Sequence, residues 1–283
     1  MPIVDSHMHL IDVTNHDWYP GLKVWADAID FPELYADFLL PDYREGDTRS
    51  VDAFVHVSAT TLPRAYLAET RWVDQLADDN DLDLAIVATV DPTLARDEIV
   101  ADLETQAESS RLRGLRVLYG LEPGTDAADT ILRWLEERGL VFDLVTNPEG
   151  MTAWLRSLER FPDLRVVLEH TGWPTGTDPD ARAAWTTAIH DFAASTDALC
   201  KLTGLGMVTR DTTEATLRPW LDTVIEELGW DRVAFGSNLP IETMGGTHGQ
   251  MLETFSVVVG QVDEAEQAKF WGENARRVYW STA

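Results

Sequence analysis

Short apolar runs rich in β-branched residues alternate along this chain with segments whose apolar residues recur every three or four positions. The first pattern is typical of strands buried on both faces, and the second of amphipathic helices. Their regular alternation predicts parallel βαβ units. Eight runs are predicted to be strands: Pro2–Asp5, Val51–Val57, Leu84–Val90, Gly114–Leu118, Leu140–Val145, Leu164–Glu169, Leu199–Leu202 and Arg232–Gly236.

The stretches between and after these runs have the spacing of helices. Seven helices are predicted: Ala65–Asp78, Thr93–Ser109, Ala127–Arg138, Glu149–Arg160, Pro179–Ala194, Thr213–Leu228 and Asp263–Trp280. Eight strands alternating with helices predict an α/β fold, a TIM-type (β/α)₈ barrel, and no linker divides residues 1–283 into more than one domain. An open, doubly wound sheet of six or seven strands is the alternative.

The first connection, Ile11–Ser50, departs from the pattern because it is long and rich in aromatic residues. Long loops inside compact domains are usually functional or disordered, and an aromatic-rich loop is a poor candidate for disorder. We therefore expect a lid over the mouth of the barrel. The alternative is that Trp18, Trp25 and their aromatic neighbours only cover a helix.

The charge of the chain narrows its possible partners. Asp and Glu total 49 against 22 Lys and Arg, which gives a net charge of −27. This charge opposes binding to nucleic acid or to an anionic membrane, so we expect a small-molecule substrate. A surface rich in acids and poor in lysine is also typical of a high-salt cytoplasm, where salt screens the repulsion, although an ordinary acidic enzyme is the alternative.

The remaining composition points to a cytoplasmic protein. The opening residues form no basic segment followed by an apolar one, so no signal peptide is predicted. No run of 18 apolar residues occurs, and the single cysteine, Cys200, excludes a disulfide within the chain. A homo-oligomer is compatible with these observations.

The sharpest local signal is the pair His7 and His9 at the end of the first predicted strand. Side chains at positions i and i+2 of a strand point to the same face, with Cα atoms about 6.5–7 Å apart. At this strand end that face is the barrel interior, where two imidazoles can ligate one metal ion or polarise one carbonyl.

Seven stretches along the chain carry a family resemblance: IVDSHMHL, AETRWV, GLR, LEHTG, KLTGL, FGSNLP and GENARRVY. In this order they resemble the metal-dependent-hydrolase-like amidohydrolase-2 family. Within it they are similar to the sugar-lactonase branch, which includes fuconolactonases, rhamnonolactonases and pyrone-dicarboxylate lactonases. The resemblance implies a (β/α)₈ barrel and hydrolysis of a lactone ester, often without a strict metal requirement.

Carried over by position, the resemblance implies that His7, His9 and His170 are catalytic residues or metal ligands. It implies substrate binding by Arg116 at the fourth strand end and by Lys201 in Lys-Leu-Thr-Gly. Lys201 also stands in an otherwise apolar strand, where a lysine needs a function or an anionic partner.

Each assignment has a structural alternative. Arg116 can pair with a nearby carboxylate such as Glu122, and His170 can be a capping or core histidine. Trp25 and Tyr119 are further candidates for substrate contact.

The sequence departs from the family at the eighth strand. The family has Gly-Ser/Thr-Asp-Trp-Pro there, whereas this chain has an amide at Asn238 in Gly-Ser-Asn-Leu-Pro. An amide cannot accept a proton at neutral pH and is a poor ligand for transition metals. No histidine follows the fifth strand either. We therefore expect no binuclear site, and either no metal or one divalent ion, most plausibly zinc, on His7, His9 and His170.

Three functions are compatible with these residues. The first is hydrolysis of a sugar-acid lactone, with His170 as the base at an ordinary pKa of about 6.5 and Asn238 positioning water or a hydroxyl. The second is a metal-dependent decarboxylase or hydratase of the same family. The third is a barrel that binds a small molecule without catalysis, with Asn238 marking a lost base; if Asn238 is a bystander, His56 and Glu242 are the next candidate bases.

Overall fold

A computed structural model of the chain describes residues 2–46 and 50–281. Eight parallel strands follow one another around a single sheet in the order β1 to β8. Their bounds are Val4–Met8 (β1), Ala53–Val57 (β2), Leu84–Ala88 (β3), Leu112–Arg116 (β4), Val141–Leu144 (β5), Arg165–Leu168 (β6), Leu199–Leu202 (β7) and Val233–Phe235 (β8). This order confirms the predicted (β/α)₈ barrel and rules out the doubly wound sheet, whose strand order reverses.

Helices follow the strands and surround them. In the described part of the chain they are Pro20–Ala28 (α1), Leu40–Gly46 (α2), Tyr66–Asp79 (α3), Arg96–Gln106 (α4), Asp126–Glu137 (α5), Pro148–Leu158 (α6), Pro179–Ser195 (α7), Leu205–Thr209 (α8), Glu214–Leu228 (α9), His248–Val259 (α10), Glu264–Ala268 (α11) and Asn274–Tyr279 (α12). Among these described helices, none combines the length and apolar character that crossing a bilayer requires.

The barrel closes between its last and first strands. The backbone N–H of Asn238 donates to the carbonyl of His7 at 2.7 Å, and that of His9 donates to the carbonyl of Leu239 at 2.8 Å. The Asp5 carboxylate strengthens this seam by accepting from the N–H of Ser237 at 2.8 Å and from that of His7 at 3.0 Å. Closure therefore brings the residues after β8 against the end of β1.

The C-terminal helix packs against the interior of the barrel. Tyr279 belongs to one buried cluster with small and β-branched strand residues such as Val4, Val55 and Val167. Its hydroxyl donates to Asp143 Oδ1 at 2.6 Å. The interior is thus filled by side chains, as in other barrels of this kind, rather than open as a pore.

The helix and strand bounds differ from the predictions in ways that matter for the site. β1 extends to Met8, so His7 lies inside the strand rather than after it. The predicted last helix is interrupted by a π turn at Lys269–Glu273, and α10 was not predicted although its buried apolar residues, among them Met251, Phe255 and Val258, have helical spacing.

The long first connection is partly helical. It contains α1 and α2, and residues 47–49 of the predicted loop lie outside the described residues. Tyr19, Leu22 and Ala26 pack with Ile241 and Met244, which follow β8. The segment therefore packs at the mouth of the barrel, on the side where β8 meets β1.

Candidate active site

A cavity of about 200 Å³ opens at the carboxyl ends of the strands. Its polar lining includes His9 after β1, Arg116 at the end of β4, His170 after β6 and Asn238 after β8. Barrel enzymes keep their catalytic groups at this end, because loops from all eight strands converge there. Four of the predicted site residues therefore lie around one cavity.

His7 lies behind two histidines that line this cavity, His9 and His170. The ring centroid of His7 is 5.0 Å from that of His9 and 4.7 Å from that of His170. His9 Nδ1 lies 2.7 Å from the carbonyl oxygen of Val57, an acceptor, so Nδ1 carries the proton and Nε2 keeps a lone pair. In its neutral form His9 can thus accept a hydrogen bond at Nε2 but cannot donate one there.

Burial keeps these imidazoles neutral. It lowers the pKa of His9 to about 3, with the charge of Arg116 adding to the effect. It also lowers the pKa of His7 and of His170 well below the ordinary value, helped at His7 by the charge of Lys201. The expectation of an ordinary pKa of about 6.5 for His170 is therefore corrected, since a charged imidazole would lose its hydration at this buried position.

Glu169 is the centre of the charged contacts, and sequence reasoning missed it. Its carboxylate lies 3.2 Å from His7 Nδ1, 3.6 Å from His170 Nε2, 3.7 Å from an Arg116 nitrogen and 3.8 Å from Lys201 Nζ. Although burial raises its pKa, the charges of Arg116 and Lys201 outweigh burial and lower it. The available signal was an acidic residue directly before His170 at a strand end.

Lys201, which was predicted to bind substrate, is not among the residues that line the cavity. It is fully buried in β7, where its ammonium forms an ion pair with Asp143 of β5 and lies 5.1 Å from the ring centre of Tyr279. Burial raises the pKa of Asp143 to about 6, against the opposing effect of the Lys201 charge. The physical reason for the difference is that the inward face of β7 meets the carboxylates of β5 and β6 below the mouth.

Asn238 lines the cavity and is paired with a carboxylate behind it. Its Nδ2 donates to Glu242 Oε2 at 3.2 Å, and Glu242 Oε1 accepts from the N–H of Gly206 at 2.6 Å. Burial raises the pKa of Glu242 to about 7. Glu242 is not among the residues that line the cavity, so it acts on the site through Asn238.

Unfavourable backbone conformations are concentrated at this mouth. His170, Thr171, Trp173 and Asn238 all have positive φ angles, between 41° and 54°. Residues other than glycine adopt such angles at a cost on the order of 1–3 kcal/mol each, and they cluster at functional sites. At Gly204, φ is 77°, and a Cβ would lie 2.7 Å from the His170 side chain, so only glycine fits there.

The remaining predicted contacts occupy the rim. Trp25 of α1 is half-buried and Tyr119 is 69% exposed, and both line the cavity. Arg116 is held by Glu169 and by the carbonyl oxygen of Ser58, not by the suggested alternative Glu122. Its guanidinium is thus fixed at the cavity wall.

The residues beneath the cavity fit a divalent metal ion. His7, Glu169 and His170 each offer a ligand atom, and these atoms lie within 4.8 Å of one another. Both nitrogens of His7, Nδ1 of His170 and both Glu169 oxygens are buried without a hydrogen-bond partner in the described chain. Two neutral imidazoles and a carboxylate form a familiar zinc ligand set. His9, which was predicted as the third ligand, is outside this group, and Glu169 takes its place.

Comparisons with known proteins show the family of this chain. Residues 4–280 match the family described as Amidohydrolase (Amidohydro_2). The L-fucono-1,5-lactonase of Burkholderia ambifaria is 25% identical over 267 residues, covering 87% of this chain and 83% of that enzyme. The L-rhamnono-gamma-lactonase of Scheffersomyces stipitis is 24% identical over 216 residues, covering 65% and 64% respectively.

Solved structures show the same fold. An amidohydrolase from Burkholderia multivorans with bound HEPES superposes with a TM-score of 0.84 at 23% identity, covering 99% of both chains. A second crystal form of an amidohydrolase from that organism, with bound zinc, gives a TM-score of 0.81 at 22% identity over 99% of both chains.

Proposed function

Because this chain belongs to the amidohydrolase family, we propose that it is a hydrolase that opens the ring of a sugar-acid lactone. The observation that carries the proposal is the cavity itself, where Arg116 faces neutral imidazoles at the carboxyl ends of the strands. The lactonases among the relatives support the ester bond as the target and favour this reaction over the decarboxylase or hydratase.

The cavity favours a substrate of one small ring at the reacting centre. Its volume of about 200 Å³ is below the roughly 300 Å³ at which pockets for drug-sized ligands begin. Trp25, Trp173 and Tyr119 provide aromatic surface, while Asn238 and His9 provide hydrogen bonds. This mixture suits a sugar ring, which has apolar faces and a polar edge.

Arg116 binds the lactone carbonyl and stabilises the oxyanion that forms on it. A fixed cation in a site that excludes water is worth more than the same cation in solvent, and it needs no reorganisation during the reaction. His9 cannot take this role, because its Nε2 is an acceptor. Of the two imidazoles expected to polarise the carbonyl, His9 is therefore replaced in this role by Arg116.

His170 accepts the proton of the attacking water at Nε2. The imidazolium formed there lies 3.6 Å from the Glu169 carboxylate, which stabilises the new charge. The ring oxygen then leaves with this proton and becomes a hydroxyl group, and the carboxylic acid formed at the carbonyl releases its remaining proton to solvent to give the carboxylate. Asn238 positions the water or a ring hydroxyl through its side-chain amide.

A metal ion held by His7, Glu169 and His170 would polarise the carbonyl and lower the pKa of water, and the zinc bound in the Burkholderia multivorans amidohydrolase supports zinc as the ion. With a metal ion bound, the ligating nitrogens of His7 and His170 would not be free to accept a proton, and Arg116 would remain the group that binds the carboxylate product.

Hydrolysis of a panel of aldonolactones, corrected for spontaneous opening and measured with chelator or with zinc, tests the proposal. Arg116→Ala and His170→Gln should each reduce kcat/KM on the order of 10²-fold or more. His190→Gln is the control, because His190 is exposed on α7 and paired only with Glu227. Failure to open any lactone in either condition would leave a non-catalytic small-molecule barrel as the better interpretation.

Location and assembly also belong to this proposal. We propose a cytoplasmic enzyme that acts on a small molecule and binds neither nucleic acid nor membrane, in keeping with the net charge of −27. A homo-oligomer is also compatible with this proposal, and size-exclusion chromatography with light scattering distinguishes a monomer from an oligomer.

A further inference from the structure

A second cavity of about 190 Å³ adjoins the first at the mouth of the barrel. The two cavities share part of their lining: Ala59, Thr61, Arg116, Leu118 and Tyr119. Arg116, at the end of β4, lines both cavities, and the other proposed reacting groups come from β1, β6 and β8. Apart from Arg116, the second cavity is built on residues at and after the ends of β2, β3 and β4, to which no chemical role has been assigned.

The lining of the second cavity has the chemistry of a sugar site. It presents side-chain hydroxyls and a carboxylate from Thr60, Thr89 and Asp91, whereas the Ser58 hydroxyl beside them donates to buried Glu69. Between them lie apolar surfaces, including those of two prolines at 63 and 92. A sugar ring offers the matching pair of surfaces, hydroxyl groups at its edge and C–H groups on its faces.

Tyr119 stands where the two cavities meet. It lines both of them and is 69% exposed, which is unusual for so large an aromatic residue beside a buried site. An aromatic ring combines a large apolar face with a polar tip, and such rings serve as anchors where a ligand is partly wet. Its position suits stacking against a ring that extends out of the first cavity.

The charges of the second cavity argue against an anionic occupant. Asp91 is its carboxylate, and the cation at its floor, Arg116, already lies near the buried Glu169. A phosphate or a second carboxylate would meet Asp91, and Arg116 is already engaged by Glu169 and by the reacting carbonyl. A neutral polyhydroxyl group meets no such repulsion.

We infer that the second cavity is a subsite for an additional neutral sugar ring, so the preferred substrate is the lactone of a disaccharide acid. The inference rests on the proposed lactonase function and extends it from a single ring to two. The lactone ring lies between Arg116 and His170, and the appended ring crosses Tyr119 toward Thr89.

The first measurement compares substrates that share one lactone ring. Glucono-1,5-lactone is compared with its 4-O-glycosyl derivatives cellobiono- and lactobiono-1,5-lactone, with correction for spontaneous opening. At least one disaccharide lactone should have a kcat/KM about tenfold or more above that of the monosaccharide lactone, the ratio that one added hydrogen bond or stacking contact supplies. Equal or lower values for both disaccharides would overturn the subsite.

The second measurement is the binding affinity of acids that the enzyme cannot hydrolyse. Calorimetry compares gluconate with cellobionate and lactobionate, which retain the carboxylate but have no ester to hydrolyse. At least one disaccharide acid should bind about tenfold more tightly. If no lactone is opened but this preference holds, the subsite stands and the lactonase proposal fails; if neither disaccharide acid binds better than gluconate, the subsite fails whatever the activity.

Two variants locate the effect. Thr89→Val removes a hydroxyl with little change in volume, and Tyr119→Ala removes an exposed ring, so both should lower the disaccharide-to-monosaccharide ratio severalfold. Thr187→Val is the matched control, because that threonine is exposed on α7 and its hydroxyl donates to the carbonyl oxygen of Ala183. A ratio that is unchanged in both variants would contradict the placement of the second ring.

Discussion

The side-chain amide of Asn238 donates a hydrogen bond to Glu242 Oε2 over 3.2 Å, from one residue at the cavity wall to another buried behind it. Since Nδ2 is turned toward Glu242, the carbonyl oxygen Oδ1 is the atom that Asn238 can offer to the cavity. Glu242 therefore orients the amide, and the pair supplies a hydrogen-bond acceptor at a position where the related family has an aspartate.

Removal of the amide tests this role. Asn238→Ala should reduce kcat on the order of 10²-fold, the loss seen when a positioned side-chain amide is removed from an active site. The measurement is turnover on the best lactone of the panel. Unchanged turnover on every accepted lactone would make Asn238 a bystander and return attention to His56 and Glu242 as bases.

A second substitution at the same position separates charge from shape. Asn238→Asp places a carboxylate beside Glu242, so the two acids should share one proton, with the pKa of one raised further. Burial of this pair should lower the melting temperature more at pH 8 than at pH 5. An equal loss at both pH values would show that the two carboxylates do not interact.

The stability of the fold should depend on pH through Glu242. Its pKa is raised by burial from 4.5 to about 7, so the folded state retains a proton that the unfolded chain releases. The resulting stability is present below about pH 4.5 and is lost as pH rises through 7, by on the order of 3 kcal/mol. Glu242→Gln has no such loss, so the melting temperature of this variant, relative to that of the wild type, should increase as pH rises from 5 to 8.

The control for this pH series is Glu108→Gln, because Glu108 is exposed. Its difference from the wild type should stay constant across the series. A difference between Glu242→Gln and the wild type that does not grow with pH would mean that Glu242 is ionised in the folded protein throughout.

Lys201 should be a residue of stability rather than of substrate affinity. Lys201→Met leaves Asp143 buried without its cation and should lower the free energy of unfolding by about 3–5 kcal/mol. The double variant Lys201→Met/Asp143→Asn removes both charges and should recover part of that loss, as chemical denaturation would measure. A lone Lys201→Met variant that is stable but has a raised KM would instead support the original assignment to substrate binding.

Zinc should bind with no more than one ion per chain. The described residues offer one buried set of His7, Glu169 and His170, and the neighbouring cations Arg116 and Lys201 oppose a second ion. Elemental analysis after zinc loading measures the ratio, and His170→Gln should reduce it while His190→Gln should not. Two zinc ions about 3.5–4 Å apart in a crystal would contradict this prediction.

The thermal stability of the protein should rise with salt. Forty-nine acidic side chains against 22 basic ones repel one another, and salt screens this repulsion. A thermal melt from low to molar KCl should show a rising midpoint. Origin in a high-salt cytoplasm stays a prediction, and a flat or falling midpoint would remove its support.

Local patterns in the sequence determined the barrel and the outline of its mouth. Alternating strand and helix periods are properties of neighbouring residues, so all eight strands were predicted close to their observed bounds. His7 and His9 are two residues apart in one segment. Arg116 is the last residue of a strand, and His170 and Asn238 each follow a strand, whose carboxyl end is at the mouth. Because the strands are parallel, these site residues are expected at the same end of the barrel.

Only the tertiary structure decided what the buried charges do. Glu169 lies directly after β6, Lys201 on β7 and Asp143 on β5, and Tyr279 contacts Asp143 although the two are 136 residues apart in the chain. Whether such side chains meet depends on the register of each strand and on which face points inward, and a shift of one residue reverses that face. A carboxylate that looks like a surface charge in the sequence can therefore be the centre of the site, as Glu169 is.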